Sequence, residues 1–223
     1  MRLLRAALAA SAGMALFAAE PVSALAITFD LNFEFSNGTP PEGVAPWTTI
    51  TIDDTADAGG ANSVRVTISN PNLTGGEFVS EVSLNLDPLL DPTALTFSAV
   101  DTSAVASIGF DTGVDEFQAD GDGKFDILFD LPPPPGAFPT KFTAGETISF
   151  DLTYTSALTA DDFDFGSAPG GGQGTFHAAA HVQGIGPSDA DSGWIGPVPE
   201  PGLALLLVAG ALAGVGIARR QQR

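Results

Sequence analysis

The pattern of apolar and polar positions predicts β-strands along most of the chain. Residues 27–35 alternate apolar and polar side chains over nine positions, which is typical of a strand with one buried and one solvated face. Seven further segments show shorter versions of this alternation. They are residues 48–52, 63–68, 78–86, 95–100, 124–131, 147–154 and 175–182.

Clusters of turn-forming residues separate these segments, for example Asn37-Gly38, Gly75-Gly76 and the proline run at 132–135. Outside the two termini, no window keeps a helical period. Many short strands with frequent turns predict an all-β domain, an antiparallel β-sandwich of jelly-roll-like type, over residues 27–182. Residues 183–197 are expected to form a spacer, and packing of Trp194 and Ile195 back onto the sandwich is the alternative.

An apolar segment precedes this predicted domain. Arg2 and Arg5 come before an apolar stretch at 6–19, and Ala24 and Ala26 supply the small residues that signal peptidase needs. Residues 1–26 are therefore predicted to be a secretory signal peptide, with the mature chain beginning at Ile27. An uncleaved N-terminal anchor is the alternative.

A second apolar segment follows the domain. Residues 202–218 carry no charge, and as a helix they would be about 25 Å long, which is at the short end for a membrane span. Arg219, Arg220 and Arg223 come next and should stay cytoplasmic by the positive-inside rule. The two termini together predict an exported protein that a C-terminal transmembrane helix holds in the membrane.

The domain between the two apolar segments is strongly acidic. Residues 27–197 hold 25 acidic residues against only Arg65, Lys124 and Lys141, a formal charge of −22. Such a surface repels nucleic acid and other anionic polymers, so no nucleic-acid partner is expected. The absence of cysteine excludes disulfides, thiol catalysis and cysteine metal sites, and leaves burial of the many phenylalanines as the source of stability.

The segment at 118–126 is a candidate calcium loop. Asp120, Asp122, the carbonyl of Lys124 and Asp126 follow the alternate spacing of calcium ligands, with Gly123 at the position of the sharp turn. The first and last positions of such a loop carry no acid here. A plain Asp-Gly turn before a strand is the alternative, so a structural calcium ion and a simple turn both stay open. No other cofactor is predicted.

Catalytic chemistry has little support in the sequence. His177 and His181 are the only histidines, and on one strand they would be about 13 Å apart, too far to share a metal ion. They are expected to be ordinary hydrogen-bonded residues. The chain has no nucleophile elbow, phosphate loop or zinc-protease motif, and we expect that it is not an enzyme.

The C-terminal segment 198–223 resembles a known sorting signal. Val198-Pro199-Glu200-Pro201, a short apolar helix and a terminal arginine cluster are similar to the PEP-CTERM signal of Gram-negative bacteria, and Pro199, Glu200 and Pro201 match its motif position by position. The resemblance implies recognition by an exosortase, a membrane-embedded processing enzyme. A plain tail anchor behind a proline-rich linker is the alternative.

Parts of the domain also resemble a recurrent ectodomain of exported PEP-CTERM proteins, namely residues 120–126, 142–146, 178–183 and 193–196. That resemblance implies one β-domain without an established activity. The sorting family implies a structural or adhesive role at the cell surface, in an extracellular polysaccharide or biofilm matrix.

Two binding functions are alternatives, a carbohydrate-binding module and, behind it, an ice-binding one. Sugar binding requires aromatic rings on a solvated face, and the sequence shows only the scattered residues Trp47, Tyr154 and Trp194. Ice binding requires a flat array of threonines, and Thr49-Ile50-Thr51 alone does not predict one.

Overall fold

The computed structural model describes residues 25–55, 60, 62–121, 123–131, 141–172 and 174–198. These residues form 13 strands and two short 3-10 helices, Pro92–Ala94 and Ala160–Phe163, without an α-helix in the described ranges. The strands are β1 (Ala26–Leu31), β2 (Phe33–Glu34), β3 (Thr48–Asp53), β4 (Ser63–Ser69), β5 (Phe78–Leu84), β6 (Thr96–Asp101), β7 (Gly109–Ala119), β8 (Gly123–Asp130), β9 (Phe142–Thr143), β10 (Thr147–Thr153), β11 (Ala168–Pro169), β12 (Ala178–Ile185) and β13 (Asp191–Gly196).

The strands form two antiparallel sheets. The first sheet has five strands in the order β1-β3-β4-β10-β6. The second has eight, in the order β11-β8-β5-β12-β13-β2, with β7 beside β8 and β9 beside β5. The all-β antiparallel architecture predicted from the alternation is confirmed.

The main core lies between the two sheets. On the long central strands most inward positions are apolar and buried, as Ile50 and Ile52 are on β3. Rings from the two sheets meet at its centre, where Phe129 of β8 lies 4.5 Å from Phe150 of β10 between ring centroids. Burial of these rings supplies the stability that a chain without disulfides requires.

A smaller apolar cluster covers part of the outer face of the second sheet. Ala179 and Trp194 belong to it, and they alternate along their strands with the core residues Ala180 and Ile195. The buried members of the cluster are Phe35, Ala119, Phe125, Phe176 and Ala179, with Phe33, Phe117 and Trp194 packed against them. The second sheet is therefore apolar on both faces at this end.

The expected spacer at 183–197 is wrong, because these residues contain the end of β12 and all of β13. The alternative is confirmed, since Ile195 lies in the main core and Trp194 packs on the outer cluster. The alternation of apolar and polar residues does not predict this strand, because two of its buried positions are glycine and not a larger apolar residue. A Cβ on Gly193 would lie 2.6 Å from the carbonyl oxygen of Thr39, and one on Gly196 would lie 3.0 Å from the ring of Phe176.

Strand β7 is another strand that the periodicity did not predict, as are the two-residue strands β9 and β11. Its register with β8 shifts between Thr112 and Phe117, and Asp115 adopts a φ of 50° there. This irregularity breaks the two-residue alternation on which the prediction depends. Acidic and exposed, β7 continues the second sheet past β8.

Both predicted targeting segments lie outside the described residues, apart from the last residues of the signal peptide and Val198. Ala26 is the first residue of β1 and is paired with Asp53, whereas Ala24 is outside. Within the described ranges, no helix has the length and apolar character needed to cross a membrane. Cleavage before Ile27 and the span at 202–218 stay predictions.

Candidate functional site

Four side chains form a line across the outer face of the second sheet. Trp194 of β13 is opposite His181 of β12, His181 is opposite Glu81 of β5, and Glu81 is opposite Asp130 of β8. Each of the four is adjacent in sequence to a core residue, so all four point away from the core. With neighbouring strands about 4.8 Å apart, the line is about 14 Å long. We call these four residues the cross-strand row.

The aromatic end of the row is a stacked pair. The rings of His181 and Trp194 are nearly parallel, at 9°, with centroids 4.8 Å apart. Within the described ranges, Trp194 Nε1 and His181 Nε2 have no hydrogen-bond partner, and no buried side-chain nitrogen or oxygen there lacks one. Both ring nitrogens therefore reach solvent, where they can bond to a ligand.

A bulge in β5 orients the imidazole. The register with β12 shifts between His181 and Val182, which places both Ser80 and Glu81 opposite the outward residues of β12. Ser80 Oγ lies 3.2 Å from His181 Nδ1 and accepts a hydrogen bond of 2.8 Å from Gln183 Nε2. These contacts leave Nε2 of His181 as its outward nitrogen.

The other end of the row is acidic. Glu81 and Asp130 are directly opposite each other, and Asp111 of β7 lies nearby. Burial raises the pKa of Asp130 above its usual value, and the negative charges of Glu81 and Asp111 raise it further. Neighbouring carboxylates of this kind gain from a ligand that donates hydrogen bonds to them.

The row combines an aromatic surface, outward ring nitrogens and carboxylate acceptors. This combination suits a ligand with apolar C–H faces and many hydroxyl groups, since the former pack on the indole and the latter bond to the carboxylates. The row is an extended surface rather than the concave pocket in which small molecules bind. Its shape therefore suits a linear polymer.

The structure places the candidate calcium residues in and beside a β-hairpin. Asp120 and Gly121 have φ values of 46° and 85°, as a tight turn between β7 and β8 requires. Lys124 follows in β8 and is paired with Gln118 and Ala168 of the adjacent strands. The geometry of the hairpin thus accounts for the conformation of this turn without a bound ion.

Asp126, the last member of that set, is bonded elsewhere. Its Oδ2 accepts a hydrogen bond of 3.0 Å from the backbone N–H of Leu86, and its Oδ1 accepts one of 2.9 Å from that of Asp115. Asp122 lies outside the described residues, and among those described no three His, Cys, Asp or Glu side chains are grouped to hold a metal. Calcium stays a prediction.

The sorting residues Pro199, Glu200 and Pro201, and the arginines at 219, 220 and 223, lie outside the described residues. The preceding residue, Val198, donates a hydrogen bond of 3.1 Å from its backbone N–H to Asn32 Oδ1, with 59% of its surface exposed. The predicted motif therefore begins directly after a residue that is anchored to the domain.

The two histidines have separate partners. His177 Nδ1 lies 2.8 Å from Asp164 Oδ1, and the His177 ring meets the edge of Phe29. His181 belongs to the cross-strand row. Both are hydrogen-bonded, as the sequence predicted.

The outer face of the first sheet carries aligned hydroxyl groups that the sequence did not reveal. Thr28, Thr51, Thr67 and Ser149 are successive partners across β1, β3, β4 and β10. In this line, Thr28 Oγ1 and Thr51 Oγ1 lie 3.1 Å apart. The sequence shows only the threonines of β3, because the alignment depends on the register of four strands.

No family model matches the sequence, and neither does any curated protein. Among solved structures, a similar chain is a biomass-sensing module of an RsgI-like protein of Clostridium thermocellum, which is described as resembling a family 3 carbohydrate-binding module of the cellulosome. The match has 12% sequence identity and a TM-score of 0.31, and it covers 79% of this chain and 98% of that chain.

Proposed function

We propose that this protein is an exported, surface-directed component of an extracellular polysaccharide or biofilm matrix, and that its β-sandwich adheres to linear polysaccharide through the cross-strand row. The observation that carries the proposal is the alignment of Trp194, His181, Glu81 and Asp130 on the outer face of the second sheet. The proposed role is binding, with no catalytic step.

The charge of the domain narrows the class of polysaccharide. Residues 27–197 have a formal charge of −22, and the row itself ends in two carboxylates. An anionic polymer would meet repulsion at every approach, whereas a neutral polymer or one with amino groups would not. The proposed ligand is therefore a neutral or amino-bearing linear polysaccharide.

Calorimetric titration of the full chain, purified in detergent, tests this proposal. The probes are a neutral β-glucan, chitosan and alginate, which are neutral, cationic and anionic. We expect binding to the first or second and none to alginate. Trp194→Ala and Glu81→Ala should each weaken binding by about tenfold or more, which corresponds to about 1.4 kcal/mol.

The matched control is Thr67→Ala, a substitution on the outer face of the opposite sheet. It should leave affinity unchanged. Because Trp194 is also packed on the outer cluster, Glu81→Ala keeps the test informative if Trp194→Ala unfolds. Binding that survives both row variants, or a preference for alginate, would reject the row as the site.

We further propose that the precursor is exported by a signal peptide, held by the helix at 202–218 and processed by an exosortase at Pro199, Glu200 and Pro201. The order of motif, apolar run and arginines supports this fate. The anchored position of Val198 supports it too, because the motif follows the folded domain without a gap.

The chain also passes repeatedly between sheets, as from β4 to β5 and from β5 to β6, which supports a jelly-roll-like topology.

Ice binding is a second candidate, favoured by the hydroxyl line Thr28–Thr51–Thr67–Ser149. The adjacent line on the same face includes the ion pair of Arg65 with Asp151, with an N–O distance of 2.9 Å, and this interrupts the hydroxyl array. We therefore rank polysaccharide first. Inhibition of ice recrystallisation by the full chain, lost in Thr51→Val, would reverse that order.

A further inference from the structure

A groove of about 530 Å³ runs along one edge of the first sheet. One wall is strand β1, which contributes Ile27, Thr28, Phe29, Asp30 and the following Asn32. The opposite wall is made by the residues before β12 and after β13. These are Asp164, Thr175, Phe176, His177, Pro197 and Val198.

Strand β1 is an end strand of its sheet, so its outer edge has no partner strand among the described residues. The backbone N–H and C=O groups of the odd-numbered residues of β1 point towards β3. The hydrogen bond from the backbone N–H of Asp54 to the carbonyl of Leu25 shows this. By alternation, the backbone N–H and C=O groups of Thr28 and Asp30 point into the groove. The next even residue confirms the direction, because Asn32 donates its N–H to the carbonyl of Gly196 across the groove end.

The groove therefore offers an open strand edge above an apolar floor. Phe29 and Phe176, which are 6% and 1% exposed, lie beneath it. An extended peptide that adds to such an edge satisfies the free backbone groups and points alternate side chains at the floor. The hydroxyl groups of a sugar ring would match the spacing and direction of these backbone groups less well than a peptide strand does.

The charges of the groove select among peptides. Asp30 lies on one wall and Asp164 on the other, both exposed, and none of the described residues that line the groove is Lys or Arg. His177 pairs with Asp164, which leaves Asp30 as the principal anchor for a cation. A second copy of this acidic domain would be repelled, whereas a strand with a basic side chain is attracted.

We propose that the free edge of β1 is a docking site for an extended peptide segment of another protein that carries a basic side chain, which adds to the first sheet as a sixth strand. This site is separate from the cross-strand row, which lies on the second sheet. The exported protein would then have two attachment surfaces, one for polysaccharide and one for a peptide strand.

Hydrogen exchange measured by NMR on the full chain in detergent tests the proposal. The probe is a capped seven-residue peptide of alternating valine and threonine with a central lysine. Without peptide, the amides of Thr28 and Asp30 should exchange quickly and those of Ile27 and Phe29 slowly. Saturating peptide should slow exchange at Thr28 and Asp30 by about tenfold or more and leave the odd-numbered pair unchanged.

Two control peptides and two variants separate the contributions. A peptide with a central glutamate, and one with alternate backbone nitrogens methylated, should each bind at least about tenfold more weakly. Asp30→Asn should abolish the preference for lysine over glutamate. Thr28→Pro should abolish binding, because it removes a free N–H that β3 does not use, while Thr28→Ala should retain binding.

The methylated peptide needs no protein variant, so the test stands even if Thr28→Pro fails to fold. Absence of binding, binding without protection of Thr28 and Asp30, or equal affinity for the lysine and glutamate peptides would each overturn the proposal. The Glu81→Ala variant should bind the lysine peptide like the unmodified protein, even if it no longer binds polysaccharide.

Discussion

The imidazole of His181 lies parallel to the indole of Trp194, with ring centroids 4.8 Å apart. The two residues are direct partners on β12 and β13, although thirteen positions separate them in sequence. Cross-strand aromatic pairs of this kind stabilise a sheet beyond the area that they bury. In this protein the pair also forms the aromatic end of the proposed binding row.

Replacement of His181 by alanine should expose one face of the Trp194 ring. We expect a red shift of the tryptophan fluorescence and a loss of about 0.5–1.5 kcal/mol in the free energy of unfolding, measured with urea. His177→Ala is the matched control, because His177 contacts Phe29 and Asp164 and not a tryptophan. An equal spectral shift in both variants would contradict the stacked geometry.

The pH dependence of stability should report on Asp130. Its raised pKa means that the folded protein binds the proton more tightly than the unfolded chain, so the contribution is greatest below pH 3.8 and is lost as the pH rises through the folded pKa. Asp130→Asn should therefore raise the free energy of unfolding at pH 7, and with it the Tm, by less than about 1 kcal/mol, because the side chain is largely exposed. Thermal melts between pH 4 and pH 7 check this.

Asp101→Asn is the control with the opposite sign. Hydrogen bonds from the Ser103 side chain and backbone lower the pKa of Asp101, so its charged form stabilises the fold. That contribution is present above the ordinary pKa and is lost as the pH falls. A higher Tm at pH 7 for this variant too would show that general charge reduction is responsible, and not the site of Asp130.

Calcium and the plain turn make different predictions for Asp126. Its bonds to the N–H groups of Leu86 and Asp115 predict that Asp126→Ala costs about 1–3 kcal/mol with or without chelator. Asp111→Ala, an exposed carboxylate of β7, is the matched control. A wild-type Tm that falls in EDTA, in a manner that Asp126→Ala abolishes, would instead establish a structural ion.

The aromatic contact between the sheets should dominate core stability. Phe129→Ala removes a fully buried ring that packs on Phe150 and Phe110, and it should cost about 3–5 kcal/mol in urea unfolding. Val100→Ala, at a position that is 48% exposed, should change stability by less than about 0.5 kcal/mol. If both variants lost the same free energy of unfolding, the contact of Phe129 with Phe150 would not be the centre of the core.

The proposed processing at the predicted sorting motif should depend on Glu200. Mass spectrometry of the mature C-terminus, in cells with and without exosortase, should show a shortened chain only when the enzyme is present. Glu200→Ala should leave the precursor uncut in the membrane fraction, because Glu200 is the only charged residue of the predicted motif and its flanking prolines disfavour helix and sheet hydrogen bonding. An intact Arg223 in both kinds of cell would refute the sorting proposal.

Local pattern predicted those parts of the fold that depend on neighbouring residues. The alternation at 48–52 and 63–68 predicted β3 and β4 because each strand has one face in the core. Strand β7 escaped prediction because its bulge breaks the period, and β13 because glycines stand at buried positions. In both cases pairing with neighbouring strands, β8 for β7 and β12 and β2 for β13, holds the strand rather than local propensity.

The candidate site was less predictable than the fold. In the sequence Trp194 is an isolated aromatic residue, and Glu81 and Asp130 do not differ from the other acids of a very acidic chain. What joins them is the register of β13, β12, β5 and β8. A shift of one residue in any pairing would turn a member of the row into the core.

By itself the sequence determined the all-β class, the acidity of the domain and the predicted sorting segments, since each depends on composition or on residues close together in the chain. The tertiary structure alone decided which side chains share a face, that the expected spacer contains a strand, and that one edge of β1 has no partner strand within the described part of the chain. Those features depend on pairings between residues far apart in sequence, which periodicity and composition do not encode.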